Sequence, residues 1–246
     1  MDGRNKSGHD DYDCLNRDAA MKKSLSRQTF EGLLKFTLAM AALIFLPAWT
    51  LYYWQGWVFL AVFCGACFAS SFYFLRRDPR LIERRMKAGP VAEKEPAQRV
   101  IMTIASLGWI GTIVVSALDH RLQWSHVPDW VALAGDAIFL VSFFGIVLVL
   151  RQNSYAASTI RVEDGQPVVD TGFYGVIRHP MYAVALPMFL AMPLALGSYW
   201  GLAPFVAILP ALIWRLLDEE RFLVTHLLGY ADYRRRVRSR LIPGIW

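Results

Sequence analysis

Two neighbouring acidic residues, Glu219 and Glu220, follow a long uncharged stretch, and the run Arg178-His179-Pro180-Met181-Tyr182 opens it. Tyr199 lies in the turn-like segment Gly197-Ser198-Tyr199-Trp200-Gly201 at its centre, with His179 20 residues before it and Glu219 20 residues after it. If the stretch folds back as a helical hairpin, imidazole, guanidinium and carboxylates return to the same depth, whichever helix face each takes. Such a set can hold an ammonium, bind a carboxylate or move a proton. Ionisable groups at the edge of an apolar segment are costly to desolvate and point to function. Flanking charge that anchors helices at a membrane interface would give the same spacing, so geometry alone leaves both readings open.

The elements that must position these groups are apolar. Of 246 residues, 55% are hydrophobic, 14% aromatic and 19% charged, with a mean hydropathy of +0.32. The charges cluster and leave long stretches bare, which excludes a disordered chain and an ordinary water-soluble domain. Three cysteines, Cys14, Cys64 and Cys67, do not make a secreted disulfide framework. From Phe36 to Leu75 no Asp, Glu, Lys or Arg occurs, and Trp54-Gln55-Gly56-Trp57 interrupts the middle: two spans and a turn. Ile101 to Leu118 and Trp130 to Leu150 give two more, and Met181 to Trp214, uncharged over 34 residues, gives a hairpin of two short helices with Pro187, Pro193, Pro204 and Pro210. The expected fold is an all-α, polytopic membrane bundle of about six spans, residues 36–246, ending in a basic amphipathic tail. Residues 1–35, with seven Lys/Arg, six Asp/Glu and no apolar signal region, read as a flexible tail.

Basic residues set the expected orientation. Seven Lys/Arg precede Phe36, eight lie in Arg76 to Arg99, three in Arg151 to Arg178 and six after Leu217, against one between the third and fourth spans. The positive-inside rule puts both termini and the 76–99 and 151–180 segments in the cytosol, with the plasma (inner) membrane as the expected location. The net charge of +6 therefore reports topology, and no continuous basic face calls for nucleic acid.

The run from Gly172 to Tyr182, then Asp218-Glu219-Glu220, then His226, Tyr230, Tyr233, Val237, Arg240 and Pro243 resembles the C-terminal signature of isoprenylcysteine carboxyl methyltransferases, with phospholipid methyltransferases as relatives of the same type. The likeness covers roughly residues 150–246. It implies an S-adenosylmethionine site in a cytosol-facing pocket, lined by Tyr174, His179, Pro180, Met181 and Tyr182, with Glu220 reaching it from the opposite helix. Gln166, Val168 and Val169 fall where the family supplies further cofactor contacts. The family places a substrate-facing arginine one turn before the second glutamate; here Leu216 occupies that register and Arg215 stands beside it. The resemblance thus implies Glu220, Arg178, His179 and Arg215 as the residues of the chemistry, and a lipid-like or isoprenylated acceptor.

Those residue types suit methyl transfer. A carboxylate acceptor needs alignment and exclusion of water but no base; an amine or phenol acceptor would need one, with His179 or Glu219 as candidates. An NADPH-dependent reductase of the sterol-reductase type and a non-enzymatic transporter or scaffold are the competing readings. No G-x-G-x-x-G turn or H-E-x-x-H pair is present, and no metal is expected. Cys64-Gly65-Ala66-Cys67 reads as small packing residues, Asp136 as reaching the interface or a nearby Ser or Trp, and Arg234, Arg235, Arg236, Arg238 and Arg240 as attracted to anionic lipid. The stretch Arg80 to Lys94 reads as a solvated connection that could also cap the pocket.

Overall fold

In the computed structural model, residues 6–86, 90–93, 95–156, 159–160, 162–163 and 165–246 are described, with side chains from Lys23 onward except that of Pro90; Cys14, Arg161 and Lys94 lie outside the described side chains. Among the described residues there are eight α-helices and no strand: α1 (Lys6–Ala48), α2 (Trp54–Arg77), α3 (Pro79–Met86), α4 (Pro96–Leu122), α5 (Asp129–Gln152), α6 (Pro180–Ala195), α7 (Leu202–His226) and α8 (Tyr230–Arg236). The all-helical membrane architecture expected from composition is present. Four helices are long and apolar enough to cross a bilayer: Lys23–Ala48 within α1, α2, α4 and α5. The expected fifth and sixth spans take a different form. α6 has only 16 residues, and α7 carries Arg215, Asp218, Glu219 and Glu220 inside its own length.

Local sequence explains the helix boundaries. Proline stands first in α3, α4 and α6, where its missing N–H would have had no helical partner. Asp78 accepts a hydrogen bond from the Leu81 backbone N–H at 3.1 Å and so caps α3. α1 begins at Lys6, well inside the segment read from sequence as a tail. Nothing between Lys6 and Phe36 is a proline, and an Arg27–Glu31 pair at 2.7 Å closes one i, i+4 step, so the polar part continues the helix of the span.

Packing around the hairpin sets up everything that follows. α6 lies along α5 and α7 along α4, while α6 and α7 touch little. Glycines seat both pairs: a Cβ on Gly108 of α4 would meet Ile208 of α7, and one on Gly135 of α5 would meet the backbone of Ala195 at the end of α6. Phe59, Phe63 and Phe139 pack edge to face or tilted, at 5.0–5.8 Å between centroids, in the shared core of α2 and α5, joined there by Met188 and Met192 of α6. Trp49, Tyr52, Trp130 and Trp200 are exposed at one end of the bundle, as in an aromatic belt, and the charged residues gather at the other. These are called here the aromatic end and the ionic end.

Buried polar groups close the aromatic end. Asp119 receives the Ser125 N–H at 2.7 Å and the hydroxyls of Ser125 and Ser198 at 2.5 Å each, tying α4 to the α4–α5 loop and to the α6–α7 turn. The Tyr53 hydroxyl donates to the Leu196 carbonyl, and its ring stacks on His120 at 3.9 Å. Asp136 departs from expectation: it is buried, and neither carboxylate oxygen has a hydrogen-bond partner among the described residues. No serine or tryptophan answers it, because its face of α5 packs inward with Ala132 and Phe139.

Candidate active site

Two helices pinned at one end and packed on different neighbours must part at the other. At the ionic end they enclose a cavity of about 370 Å³, within the range of small-molecule sites. Met181, Tyr182, Ala185, Leu186 and Phe189 of α6 form one wall, and Leu212, Arg215, Glu219 and Leu223 of α7 face them. Met102 and Ala105 of α4 line its apolar part, and the loop after α5 brings Asn153, Tyr155, Gln166, Val168 and Val169.

Behind the cavity lies an ion cluster. Glu220 receives Arg178 at 2.7 Å on one oxygen and Arg240 at 2.7 Å on the other, with the Arg178 and Glu220 side chains almost wholly buried. The chain after α8 runs across this cluster as a strap. Arg178 donates through Nη1 to the carbonyls of Val237 and Arg238 at 2.7 and 2.6 Å, its backbone N–H bonds Ser239, and that of His179 bonds Arg240. Buried charges hold only when each is paired and hydrogen-bonded in this way. Arg178 is therefore fixed in backbone and side chain, and His179 in backbone, before any ligand arrives.

The groups that face the cavity are less satisfied. His179 is buried with no hydrogen-bond partner at Nε2 among the described residues. Burial holds its pKa below the ordinary histidine value, against the pull of Glu219 and Glu220, so the ring is neutral at neutral pH. Tyr182 donates its hydroxyl to Glu219 Oε2 at 2.7 Å and meets the His179 ring edge-on at 5.8 Å. Burial, and after it the nearby Glu219, push the Tyr174 phenol up to about 12, against the hydrogen bond that Asn153 donates to it at 3.3 Å. Tyr230, raised by burial and then by Glu220 and Glu219, has a buried hydroxyl with no partner among the described residues. Tyr233 donates to the Tyr174 carbonyl at 2.7 Å and steadies that wall.

Of the residues singled out from sequence, Gln166, Val168, Val169, Tyr174, Arg178, His179, Pro180, Met181, Tyr182 and Arg215 line the cavity. Leu216 is buried behind Arg215, so the arginine is the one presented. Glu219 reaches the cavity wall, while Glu220 stands behind it in the ion cluster. Sequence reasoning did not single out Asn153, Tyr155, Tyr230 and Tyr233 as lining residues, although both later tyrosines stand three apart beside a basic run, a helical spacing that turns them to one face.

The connection between α2 and α4 also builds the site. Arg84 of α3 pairs with Glu163 through two nitrogens at 3.0 and 2.7 Å, bonds the Ser154 carbonyl at 2.7 Å and lies over the Tyr155 ring, so one guanidinium holds the loop that lines the cavity. Arg85 itself lines it. The stretch read as a solvated connection is therefore a cap, apart from Lys87, Ala88, Gly89 and Lys94, which lie outside the described residues.

The cavity opened by the splayed helix pair thus has an apolar inner side and, on its wall, polar groups without partners among the described residues. Residues 130–228 match the phospholipid methyltransferase family. Over this segment the chain is similar to a family of membrane methyltransferases. Its bounds take in α5, the cavity loop, α6 and α7, and stop before α8 and the strap. The resemblance carried by the run from Gly172 to Tyr182 and the Glu219-Glu220 pair falls inside the phospholipid methyltransferase match.

Proposed function

We propose that the cavity binds S-adenosylmethionine from the ionic end and that the methyl group passes to a lipid or isoprenyl-type acceptor bearing a carboxylate, which reaches the site from the bilayer. The observation that carries this reading is the parting of α6 and α7: it leaves one space with a polar, aromatic mouth and an apolar inner wall of Met102, Ala105, Leu186, Phe189 and Leu212. The donor set fits the cofactor. Glu219 accepts at the wall, the His179 Nε2 and Tyr230 hydroxyl are buried without partners among the described residues, and Tyr174, Tyr182 and Tyr155 offer rings to a sulfonium.

When bound, the sulfonium supplies an electrophilic methyl group for in-line displacement and leaves as a neutral thioether. The protein's own part is placement. Arg215 anchors the anionic head of the acceptor, Tyr182 holds Glu219 in one rotamer, and the strap keeps Arg178 and His179 from moving as ligands arrive. A carboxylate nucleophile surrenders no proton, so no base is called for; orientation of this kind lowers barriers by about 7–11 kcal/mol in favourable cases. An enclosed apolar wall also strips water from the carboxylate and sulfonium, whose charges cancel as the bond forms. The ionic end, and both termini with it, faces the cytosol of the plasma (inner) membrane, as the Lys/Arg distribution supports.

The test is a titration of the purified protein in nanodiscs with S-adenosylmethionine, its demethylated product and NADPH. Saturable binding of the first two, weakened by Glu219→Gln and His179→Ala, is expected. Binding of NADPH alone would replace this reading with a reductase. Methylation of an S-farnesylated cysteine with a free carboxylate, set against phosphatidylethanolamine vesicles, then assigns the acceptor; transfer to the amine alone would overturn O-methylation.

A further inference from the structure

Arg215 is a long cation on the wall of the cavity, yet it does not lie there loosely. Its Nη1 is 2.9 Å from Glu93 Oε1 and donates to Gln98 Oε1 at 2.8 Å. Both partners are almost completely buried, Glu93 at 3% exposure and Gln98 at 1%. Neither belongs to the segment that matches the phospholipid methyltransferase family: Glu93 lies between α3 and α4, and Gln98 in the first turn of α4.

Each partner is itself held. The Glu93 carbonyl accepts from Arg99 Nε at 2.8 Å, and its second carboxylate oxygen accepts from the Ile160 N–H of the cavity loop at 3.4 Å. Gln98 donates its amide N–H to Asp218 on α7. An amide whose nitrogen is engaged by a carboxylate has only its oxygen left to turn toward the guanidinium, so Gln98 cannot flip. A network thus runs from Asp218 through Gln98 and Arg215 to Glu93, bridging α7, α4 and the cap. An arginine side chain held at one nitrogen by two fixed acceptors loses most of its rotamers, and its planar fork points one way.

We propose that Glu93 and Gln98 are positioning residues that aim the Arg215 guanidinium at the anionic head of the methyl acceptor. The proposal rests on the reading of Arg215 as the acceptor's anchor. Glu93 also offsets the charge of Arg215 while the site is empty of acceptor, which lets a buried cation be kept ready at the cavity wall without leaving it unpaired. The consequence is kinetic. The anchored carboxylate loses charge as it is methylated, so Arg215 holds the bound acceptor at least as tightly as the transition state; losing its aim raises KM without lowering kcat through this contact.

The experiment measures KM and kcat for an S-farnesylated cysteine, and Kd for S-adenosylmethionine, in wild type, Glu93→Ala, Glu93→Gln and Gln98→Ala in nanodiscs. The expected result is an acceptor KM raised about tenfold or more in Glu93→Ala, with kcat and the S-adenosylmethionine Kd within about threefold. Glu93→Gln, which keeps an acceptor of the same shape, recovers most of the loss, and Gln98→Ala shows a smaller rise of the same kind. A neutral-headed analogue, the carboxamide of the same molecule used as an inhibitor, binds wild type and Glu93→Ala equally. A merely structural role would instead weaken donor and acceptor together, and would weaken the carboxamide too; that pattern overturns the proposal, as does an unchanged acceptor KM in folded Glu93→Ala. Should Glu93→Ala fail to fold, Gln98→Ala carries the same comparison, and an unchanged acceptor KM there overturns the proposal. Wild-type protein that binds no S-adenosylmethionine overturns the functional reading itself, a result distinct from either.

Discussion

The two ends of the α6–α7 hairpin use buried polar groups in opposite ways. At the aromatic end, Asp119 has both oxygens filled by Ser125 and Ser198, and Tyr53 bonds the Leu196 carbonyl; the polar groups answer one another and fasten the turn. At the ionic end, the paired groups stand behind the cavity while His179 Nε2 and the Tyr230 hydroxyl, without partners among the described residues, sit at its wall. A satisfied network rigidifies, and an orphaned group waits for a ligand. One end holds the hinge of the pair so that the other can stay open.

That contrast can be broken from either side. The largest effect is expected of Arg178→Ala, which leaves Glu220 buried with one cation and removes two bonds to the strap: a loss of about 3–5 kcal/mol in stability and of S-adenosylmethionine binding, read by thermal unfolding and calorimetry. At the opposite end, Ser198→Ala removes the hydrogen bond to the buried Asp119 carboxylate and the one accepted from the Gly201 N–H, and should cost about 1.5–3 kcal/mol in stability while S-adenosylmethionine affinity at moderate temperature stays near wild type. Equal damage to binding would mean that the aromatic end shapes the site directly.

The pH dependence sharpens the same comparison. His179 has a folded pKa below its ordinary value near about 6.5, so as pH falls past that value the unfolded chain takes up the proton before the folded one does. Stability is flat above this window and declines as pH falls through it toward the folded pKa, by at most about 1.4 kcal/mol per pH unit. Unfolding midpoints between pH 8 and 5 should show that slope, and His179→Gln should make it shallower. The smallest effect belongs to Asp136→Asn. A carboxylate with neither oxygen bonded contributes no partner to lose, so stability should hold or rise and methyl transfer should not change. A drop beyond about 0.5 kcal/mol would show that Asp136 has a partner after all.

Much of this was legible from sequence, for physical reasons that differ by element. The hairpin and its returning charges could be read because helix rise is constant, so equal counts from Tyr199 bring His179 and Glu219 to one depth. Which carboxylate faces inward could not, because adjacent residues on a helix point about 100° apart and only packing decides between Glu219 and Glu220. Arg215 could be suggested only by its neighbour Leu216 sitting in the expected register. Glu93 gave no signal at all: a carboxylate in a mixed-charge connection reads as solvated until the fold sets it against Arg215. The helix before Phe36 is not legible in composition, because its charged residues end the apolar part of α1 and not the helix itself.

The walls of the cavity and the groups that brace them come partly from outside residues 130–228: Arg85, Met102, Ala105, Tyr230 and Tyr233 line it, while Arg84 and Glu93 of the cap, Gln98 of α4 and Arg240 of the strap hold lining residues or the ion cluster behind them. The recognisable portion is therefore not a portable cassette. Recombining it into another scaffold would transplant the floor of a room without three of its sides, and chimaeras joined anywhere between α3 and the strap should express as hollow, inactive bundles.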